Sequence, residues 1–313
     1  MRLIATGIRP AETEWAVTLL LLSPLIIAPL VLATVGPVLS ANGETVLRRA
    51  VSYQLARRLQ LPGALLLWPA VALPASAMSA ALCLPWLIVT FLLAGTAARD
   101  FYSRKRWAMT ELMLCSGLLF LPIGAGWLVM WRLGLRPLGF KEVIVMLTAI
   151  HFHFAGFVLP LLAGWCAQSL PGRVTNRVGL SVMGGVPAVA VGITTTQLGF
   201  SPWIEVFAAA WLSLSGMAVA LQQIIIARRQ SADRLARSLL FLSSLSLLGT
   251  MGLSMLYGLR CWHDWDWLDI PWMRAWHGTG NALFACLLAV IGWARLQCSA
   301  SQRRLSETPR SSP

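Results

Sequence analysis

The stretch from Glu142 to Trp165 reads EVIVMLTAIHFHFAGFVLPLLAGW, and after its first residue it contains no Asp, Glu, Lys or Arg. About 20 apolar residues in an α-helix cross the bilayer hydrocarbon core, which is about 30 Å thick. This stretch is long and apolar enough to do so. It therefore predicts a transmembrane helix that carries two histidines near its middle.

The composition of the whole chain also favours a membrane protein. Of the 313 residues, 57% are hydrophobic and 12% are charged, whereas soluble domains average about 45–50% apolar and about 25% charged residues. This composition disfavours a soluble enzyme, a disordered tail protein and a disulfide scaffold. The six cysteines form no Cys-x-x-Cys pair and lie mostly in apolar runs, which is typical of small buried side chains.

Similar apolar windows recur along the chain and predict an all-α, polytopic membrane helix bundle of about nine transmembrane helices. The predicted spans are Trp15–Val35, Leu61–Ala75, Met78–Ala97, Trp107–Trp131, Glu142–Trp165, Val178–Gln197, Trp203–Ala227, Ser238–Tyr257 and Gly278–Trp293. We expect a single multi-span membrane domain over residues 1–298. Residues 299–313, rich in Ser, Arg and Pro, are predicted to form a disordered cytoplasmic tail.

The placement of charge decides whether Leu61–Ala98 forms one long helix or two short ones. With two helices, eighteen of the 25 Lys and Arg residues fall on one side of the membrane. The seven on the other side are Arg2, Arg9, Arg132, Arg136, Lys141, Arg260 and Arg274. Because cytoplasmic loops carry the excess of positive charge, the sequence predicts nine spans, with the N-terminus outside and the C-terminus in the cytoplasm.

The excess of Lys and Arg in cytoplasmic loops also explains the formal net charge of +13. The basic residues lie in joints between spans or at helix ends, where they orient the helices and contact anionic headgroups on the cytoplasmic side. The sequence therefore predicts a lipid bilayer as partner and no nucleic acid. Leu47, Val51, Leu55 and Leu59 recur every fourth residue, which suggests a helix over residues 44–60 lying on this surface.

Residues 261–276 read CWHDWDWLDIPWMRAW and lie on the outer side in this topology. Five tryptophans alternate with Asp264, Asp266 and Asp269, a pattern too polar to span a membrane. One interpretation is an aromatic belt at the level of the lipid headgroups, where Trp is favoured. The other is a lid over a site that opens outward.

Ionisable groups inside a membrane are costly, which makes each of them a candidate for function. His151 and His153 lie two residues apart on different faces of the fifth span, so a regular helix cannot turn both toward one metal ion. His277 and Asn281 lie one turn apart in the last span, and Glu205 begins the seventh. In the predicted topology these groups share the outer half of the membrane. The sequence thus predicts an outward-facing polar site for substrate binding or proton coupling.

Each of these residues also has a purely structural interpretation. A membrane histidine such as His151 or His153 can simply hydrogen-bond a neighbouring helix. His277 and Asn281 can stabilise the start of a helix. Glu205 fits the acidic first turn that the helix dipole favours.

The segments HFHFAGFVLPLLAG (His151–Gly164) and WHGTGNALFA (Trp276–Ala285) resemble the YndJ-like family of bacterial integral membrane proteins. The resemblance implies a multi-pass protein of the bacterial cytoplasmic (inner) membrane, either of uncharacterised activity or a transporter. At Leu283-Phe284 the chain departs from the Gly-Phe pair of that family. The signature residues that it carries over are His151, His153, Gly156, His277, Gly278 and Asn281, the two glycines being structural.

Two functions remain in competition. The first is a small-solute or ion transporter, in which imidazoles exchange protons near neutral pH. The alternative is a haem- or metal-dependent membrane oxidoreductase or respiratory assembly factor, with His151, His153 and His277 as candidate ligands. No hydrolase, zinc-protease or phosphate-loop motif is present, so no catalytic residue is predicted and an enzyme is disfavoured. The sequence leaves the cofactor and the oligomeric state open.

Overall fold

The computed structural model describes residues 10–38, 50–103, 108–229, 233–263 and 265–307. Throughout these ranges the regular elements are helices, and they contain no strand. The α-helices are α1 (Pro10–Leu22), α2 (Ala28–Val38), α3 (Val51–Leu65), α4 (Leu67–Ala72), α5 (Ala77–Ala81), α6 (Leu84–Ser103), α7 (Met109–Arg132), α8 (Glu142–His151), α9 (Val158–Ser169), α10 (Arg173–Gln197), α11 (Trp203–Arg229), α12 (Arg234–Gly258), α13 (Ile270–Met273) and α14 (Leu288–Glu307).

Three of the long helices change to π-helical geometry part of the way along. Segment π1 (Ser23–Ile27) joins α1 to α2, and π2 (Phe152–Gly156) precedes α9. Segments π3 (Arg274–Gly278) and π4 (Gly280–Leu287) lie between α13 and α14. Backbone hydrogen bonds in a π-helix reach one residue further than in an α-helix, and such segments are rare and frequently mark functional sites.

Eight helical stretches in the described part of the chain are long and apolar enough to cross a membrane. They are Glu14–Thr34, Ala77–Ser103, Met109–Arg132, Glu142–Ser169, Arg173–Gln197, Trp203–Arg229, Arg234–Gly258 and Ile270–Ser299. Many large apolar side chains are exposed, which suits contact with lipid because soluble proteins rarely expose extended apolar patches. The predicted all-α polytopic bundle is confirmed.

The predicted second span, Leu61–Ala75, is not a separate helix of spanning length. The chain crosses the bundle over α3 and α4, with a one-residue break between them. The hydroxyls of Ser52 on α3 and Thr96 on α6 lie 2.8 Å apart, whereas Gly63 lies against the backbone of Pro85. Helix α3 therefore runs antiparallel to α6. Because the helix is broken, neither α3 with 15 residues nor α4 with 6 is by itself long enough to cross the membrane.

The prediction of a surface helix over residues 44–60 is wrong for its described part. The Tyr53 hydroxyl donates to the carbonyl of Leu32 (2.7 Å). The Gln60 amide donates to the carbonyl of Pro24 (2.6 Å). These bonds tie α3 to α2 and π1 within the bundle. Residues 44–49 of the predicted surface helix lie outside the described residues.

Helix α9 lies at the centre of the bundle. Every residue from Val158 to Ala167 is buried, as expected for an apolar helix that other helices surround on all sides. Helix α9 contacts α7, α10, α11 and α14, and the preceding α8 contacts α1 and α7. The helix that carries the two predicted histidines is thus part of the core.

The two ends of the bundle differ in composition. We call one the Trp-rich end, defined by Trp15, Trp203, Trp262, Trp267 and Trp276. The other is the arginine-rich end, defined by Arg99, Arg173, Arg229, Arg234 and Arg295. Helix α14 starts in the interior and continues past the arginine-rich end to Glu307. Residues 308–313 of the predicted tail lie outside the described residues.

Candidate functional site

The four π segments belong to three helices that contact one another inside the bundle, and we call these segments the π core. Helix α1 contacts π3 and π4, and π2 contacts π4. The indole N–H of Trp15 donates to Oγ1 of Thr279 (2.8 Å). The Ser23 hydroxyl donates to the carbonyl of His153 (3.2 Å). Both sequence motifs that carry the family resemblance therefore meet in the π core.

Side chains from neighbouring helices donate hydrogen bonds to carbonyl oxygens of the π core. The donor and acceptor residues are Gln60 to Pro24 (2.6 Å), Ser23 to His153 (3.2 Å), Ser246 to Gly280 (2.9 Å) and Ser243 to Ala285 (2.7 Å). Irregular helices inside a membrane need such partners, because the lipid offers no hydrogen bonds to the backbone. The π geometry is thus supported by the helices around it.

His153 is 0% exposed, and both of its ring nitrogens are hydrogen-bonded. Nε2 lies 3.0 Å from the indole nitrogen of Trp86, and Nδ1 lies 2.8 Å from the carbonyl of Ala149. Since an indole N–H only donates and a carbonyl only accepts, the ring is neutral with its proton on Nδ1. A Cβ atom at Gly124 would lie 2.7 Å from Nδ1. The ring is therefore enclosed, and neither nitrogen is available to a ligand.

His277 and Asn281 form a cluster with Thr250 of α12. Nδ1 of His277 lies 2.8 Å from the carbonyl of Thr250, and Nε2 lies 3.2 Å from the amide nitrogen of Asn281. The Thr250 hydroxyl donates to Oδ1 of Asn281 (3.0 Å). The two motif residues thus share one helix face, and Thr250 links them to α12.

His151 differs from the other two membrane histidines, because its buried Nε2 has no hydrogen-bond partner. Its ring packs edge-on against Phe152, with centroids 5.7 Å apart. His151 lies directly before π2, the segment that contacts π4 of the last helix. An unsatisfied buried polar atom costs about 1–3 kcal/mol, so it calls for a functional explanation.

The structure does not bring Glu205 to the histidines. Its Oε1 accepts a hydrogen bond from Nη2 of Arg260 at 2.5 Å. The guanidinium of Arg260 also lies 4.2 Å from the ring centroid of Tyr257. This ion pair joins the start of α11 to the end of α12 at the Trp-rich end.

The two signature glycines have different surroundings. A Cβ atom at Gly156 would lie 2.9 Å from Cδ1 of Phe152 and 3.3 Å from Cβ of Phe120, so close packing requires a glycine there. At Gly278 the nearest atoms lie 3.8 Å or more from such a Cβ. Packing alone does not require a glycine at Gly278.

The donor set does not favour a metal or haem site at the predicted histidines. His153 and His277 each use both ring nitrogens in hydrogen bonds. Across the described ranges, no group of three or more His, Cys, Asp or Glu side chains could hold a metal ion. Of the nitrogens described above, Nε2 of His151 is the one without a hydrogen-bond partner.

Of the Trp-rich segment over residues 261–276, the part from Ile270 onward forms the start of the last membrane helix. Asp269 caps α13 by accepting a hydrogen bond from the backbone N–H of Trp272 (2.8 Å). The rings of Trp267 and Trp272 meet at a centroid distance of 4.8 Å. Asp264 lies outside the described residues. The lid and the aromatic belt both stay predictions.

Several residues that support the site were not predicted from the sequence. They are Ser23, Gln60, Trp86, Ser243, Ser246 and Thr250. The three on α12 follow a spacing of three and four residues, a helical signal present in the sequence. No local pattern marks Trp86 or Gln60, because their partners lie far away along the chain.

Comparison with known proteins places the chain in a family. The sequence model described as YndJ-like protein matches residues 18–285, so the chain belongs to the YndJ-like family, as the two motifs predicted. The uncharacterized membrane protein YndJ of Bacillus subtilis (strain 168) is 27% identical over 214 residues, which is 66% of this chain and 37% of that protein. The chain thus spans little more than a third of the relative's length. No solved structure matches. The protein is therefore a multi-pass membrane protein.

Proposed function

We propose that this chain transports a small solute or ion across the membrane. Its polar site lies in the π core, around His151, His277 and Asn281. The observation that supports the proposal is the buried, unpaired Nε2 of His151, which directly precedes the π2 segment that contacts π4. A binding site needs a polar atom that is free to bond a ligand. Both ring nitrogens of His153 are hydrogen-bonded within the protein, so this ring serves the packing of the helices.

The chemistry of His151 suits a transient partner. A neutral imidazole nitrogen without a donor can accept a hydrogen bond from a solute or take up a proton. Imidazole is the side chain that exchanges protons most readily near neutral pH.

The π core also suits the conformational change that transport requires. Helices that depart from α geometry inside the membrane are a recurrent feature of transporter binding sites. Here three such helices meet, and side chains donate additional hydrogen bonds to four of their carbonyl oxygens. Exchange of those side-chain partners would let the helices shift without unfolding.

We further propose that the arginine-rich end faces the cytoplasm of a bacterial cell, in its cytoplasmic membrane. The excess of positive charge at that end follows the positive-inside rule. The N-terminus then lies outside and the C-terminus inside, and the arginines contact anionic lipid headgroups. A reporter fused to the C-terminus should be active only in the cytoplasm, and activity outside would contradict this orientation.

Proton movement across reconstituted vesicles tests the proposed function. The full chain is reconstituted in liposomes that contain a pH-sensitive dye, and an outward-to-inward proton gradient is imposed with and without a panel of amino acids, sugars, polyols and metal cations. We expect the wild type to dissipate the gradient faster than protein-free liposomes with at least one of these solutes. The His151→Gln variant should be about tenfold slower, the effect of about 1.4 kcal/mol from one lost hydrogen bond.

His263 provides the matched control, since it is an exposed histidine in the Trp-rich segment. The His263→Gln variant should move protons at the wild-type rate. Equal rates for wild-type and protein-free liposomes under all conditions would overturn the transporter proposal. Equal rates for His151→Gln and wild type would remove His151 from the site.

A further inference from the structure

A pocket of about 330 Å³ lies between α11 and α12 at the arginine-rich end of the bundle. Both helices are long and apolar enough to cross a membrane, and they meet at this end because α11 ends at Arg229 and α12 begins at Arg234. We call this space the α11–α12 pocket. The residues that line it are Ala227, Arg228, Arg237, Ser238, Phe241 and Leu242.

Two guanidinium groups give the α11–α12 pocket a positive charge. Arg228 lies in the last turn of α11, and Arg237 lies near the start of α12. Within the part of the chain that the structure describes, neither guanidinium is paired with a carboxylate. Asp233 lies one turn before Arg237, but its Oδ2 bonds Nη2 of Arg295 instead (3.1 Å). The charge of Arg228 and Arg237 is thus available to an anion from outside the chain.

Apolar side chains continue the wall of the pocket toward the middle of α12. Phe241 follows Arg237 by four residues, and residues at this spacing share one face of a helix. Leu242 follows Ser238 by the same spacing. Phe241 is 37% exposed and Leu242 is 53% exposed, and Leu245 one turn further is 49% exposed. The wall is therefore polar near the end of the helix and apolar one turn deeper.

The two helices touch each other next to the pocket. Ala227, which forms part of its wall, is 1% exposed. One turn earlier on α11, Nε2 of Gln223 lies 3.4 Å from the hydroxyl of Ser244 on α12. The pocket is therefore a site on the lipid-facing surface and not an opening into the bundle.

We propose that the α11–α12 pocket binds one anionic phospholipid by its phosphate group. Arg228 and Arg237 donate charge-assisted hydrogen bonds to the phosphate oxygens, and the Ser238 hydroxyl supplies a further donor. Basic pockets between membrane helices recur as sites for anionic lipid headgroups. The proposal assigns one site to one lipid, which goes beyond the general attraction between arginines and headgroups, and it does not depend on the transporter function.

The apolar wall favours a lipid over a soluble phosphate. A soluble anion would contact the two arginines and the hydroxyl and would leave Phe241 and Leu242 without a partner. An acyl chain attached to the phosphate covers both side chains and stays in apolar surroundings, which is favourable because apolar surface is removed from water. The order of the polar and apolar groups along α12 matches the order of the headgroup and chain in a lipid.

Binding of a fluorescently labelled phosphatidylglycerol to the detergent-solubilised full chain tests the site. Fluorescence anisotropy gives the dissociation constant. We expect the double variant Arg228→Gln/Arg237→Gln to bind about tenfold more weakly than the wild type, the effect of one lost charge-assisted hydrogen bond, or weaker still. Arg237→Gln alone is a milder variant for the case that the double variant does not fold.

The double variant Arg229→Gln/Arg234→Gln provides the matched control. It removes two exposed arginines from the same two helix ends and changes the net charge equally, but neither residue lines the pocket. This control should bind like the wild type. Equal weakening in both double variants would mean that net charge alone attracts the lipid, and unchanged binding in Arg228→Gln/Arg237→Gln would mean that the pocket holds no lipid. Either result overturns the proposal.

Competition with unlabelled molecules distinguishes the sources of the phosphate. Phosphatidylglycerol with short chains should displace the probe. Phosphatidylcholine with the same chains should displace it much less, because its headgroup carries no net charge. Glycerol 3-phosphate should also displace it much less, because it has no acyl chain to cover Phe241. Equal displacement by phosphatidylcholine would overturn the selectivity for an anionic lipid, and equal displacement by glycerol 3-phosphate would replace the lipid with a soluble phosphate.

Discussion

His153 and His277 lie in two regions of the same core. The two regions differ in the hydrogen-bond partners and the burial of the imidazole ring. Around His153, Trp86 and the carbonyl of Ala149 occupy both ring nitrogens, and the ring is 0% exposed. Around His277, the partners are Thr250 and Asn281, and the residues from His277 to Asn281 are only partly buried. The first region is saturated and closely packed, and the second is less enclosed.

The two regions differ in how many hydrogen-bonding atoms they leave free to bind another molecule. A saturated ring held by an indole contributes to stability, since removing either partner would leave a buried atom unpaired. His151, whose Nε2 has no partner, directly precedes π2, and π2 contacts the π4 segment of the partly buried region. We therefore expect changes near His153 to affect stability first, and changes near His277 to affect transport first.

The largest effect is expected for Gly124→Ala. The new Cβ atom would lie 2.7 Å from Nδ1 of His153, 3.0 Å from Cβ of Phe152 and 3.1 Å from the carbonyl of Ala149. None of these atoms is the free end of a flexible side chain. We expect a loss of about 3 kcal/mol, the upper range for overpacking a core, measured as a lower melting temperature of the detergent-solubilised protein by tryptophan fluorescence.

Gly126 lies on the same helix and provides the control for this substitution. A Cβ atom there would have no neighbour within 4 Å, so Gly126→Ala should melt like the wild type or slightly higher, because alanine favours a helix. Equal melting temperatures for Gly124→Ala and Gly126→Ala would show that the region around His153 is not closely packed.

A smaller effect is expected for Gly280→Ala in the other region. Its Cβ atom would lie 2.5 Å from Cγ2 of Thr250, which must shift and thereby strain the hydrogen bond to Asn281. We expect a loss of about 1 kcal/mol in stability, together with slower solute movement in reconstituted vesicles.

The compensating substitution Thr250→Ser sharpens this prediction. Serine lacks Cγ2 but keeps the hydroxyl that bonds Asn281. The double variant Gly280→Ala/Thr250→Ser should regain most of the lost stability and transport, while Thr250→Ser alone stays close to the wild type. A double variant no better than Gly280→Ala would show that the clash with Thr250 is not the cause.

The smallest effect is expected for Asp233→Asn, at the far end of α12. The backbone N–H of Ala236 and then the guanidinium of Arg295 hold the pKa of Asp233 below its usual range. A lowered pKa in the folded state means that the ionised carboxylate stabilises the fold at neutral pH, and that this contribution disappears as the pH falls through the folded-state pKa. Asparagine still caps the helix.

Melting temperatures measured at several pH values check the role of Asp233. Wild type should melt slightly higher than Asp233→Asn at pH 7, and the difference should shrink in acid. A difference that persists unchanged at acid pH would mean that the charge of Asp233 plays no part. A large difference at pH 7 would mean that this end of the bundle is held more tightly than the region around His277.

Much of the fold could be predicted from the sequence, because apolar length alone identifies a membrane helix. The second crossing was predicted over Leu61–Ala75, but α3 begins at Val51, and this difference has a physical reason. The uncharged run after Leu61 favoured a helix there, but Tyr53 and Gln60 find partners on the first helix, which draws the segment from Val51 onward into the bundle. The sequence also did not reveal the ion pair of Glu205 with Arg260, because the two residues lie far apart along the chain.

By itself, the sequence determined that this chain is an all-α membrane protein with two motifs of a known family, since hydropathy and motif spacing are local properties. Only the tertiary structure decided that these motifs are π-helical and meet in the core. It also decided that His153 is saturated while Nε2 of His151 is unpaired. Two histidines two residues apart have the same sequence signal, and only the side chains that surround each ring distinguish them.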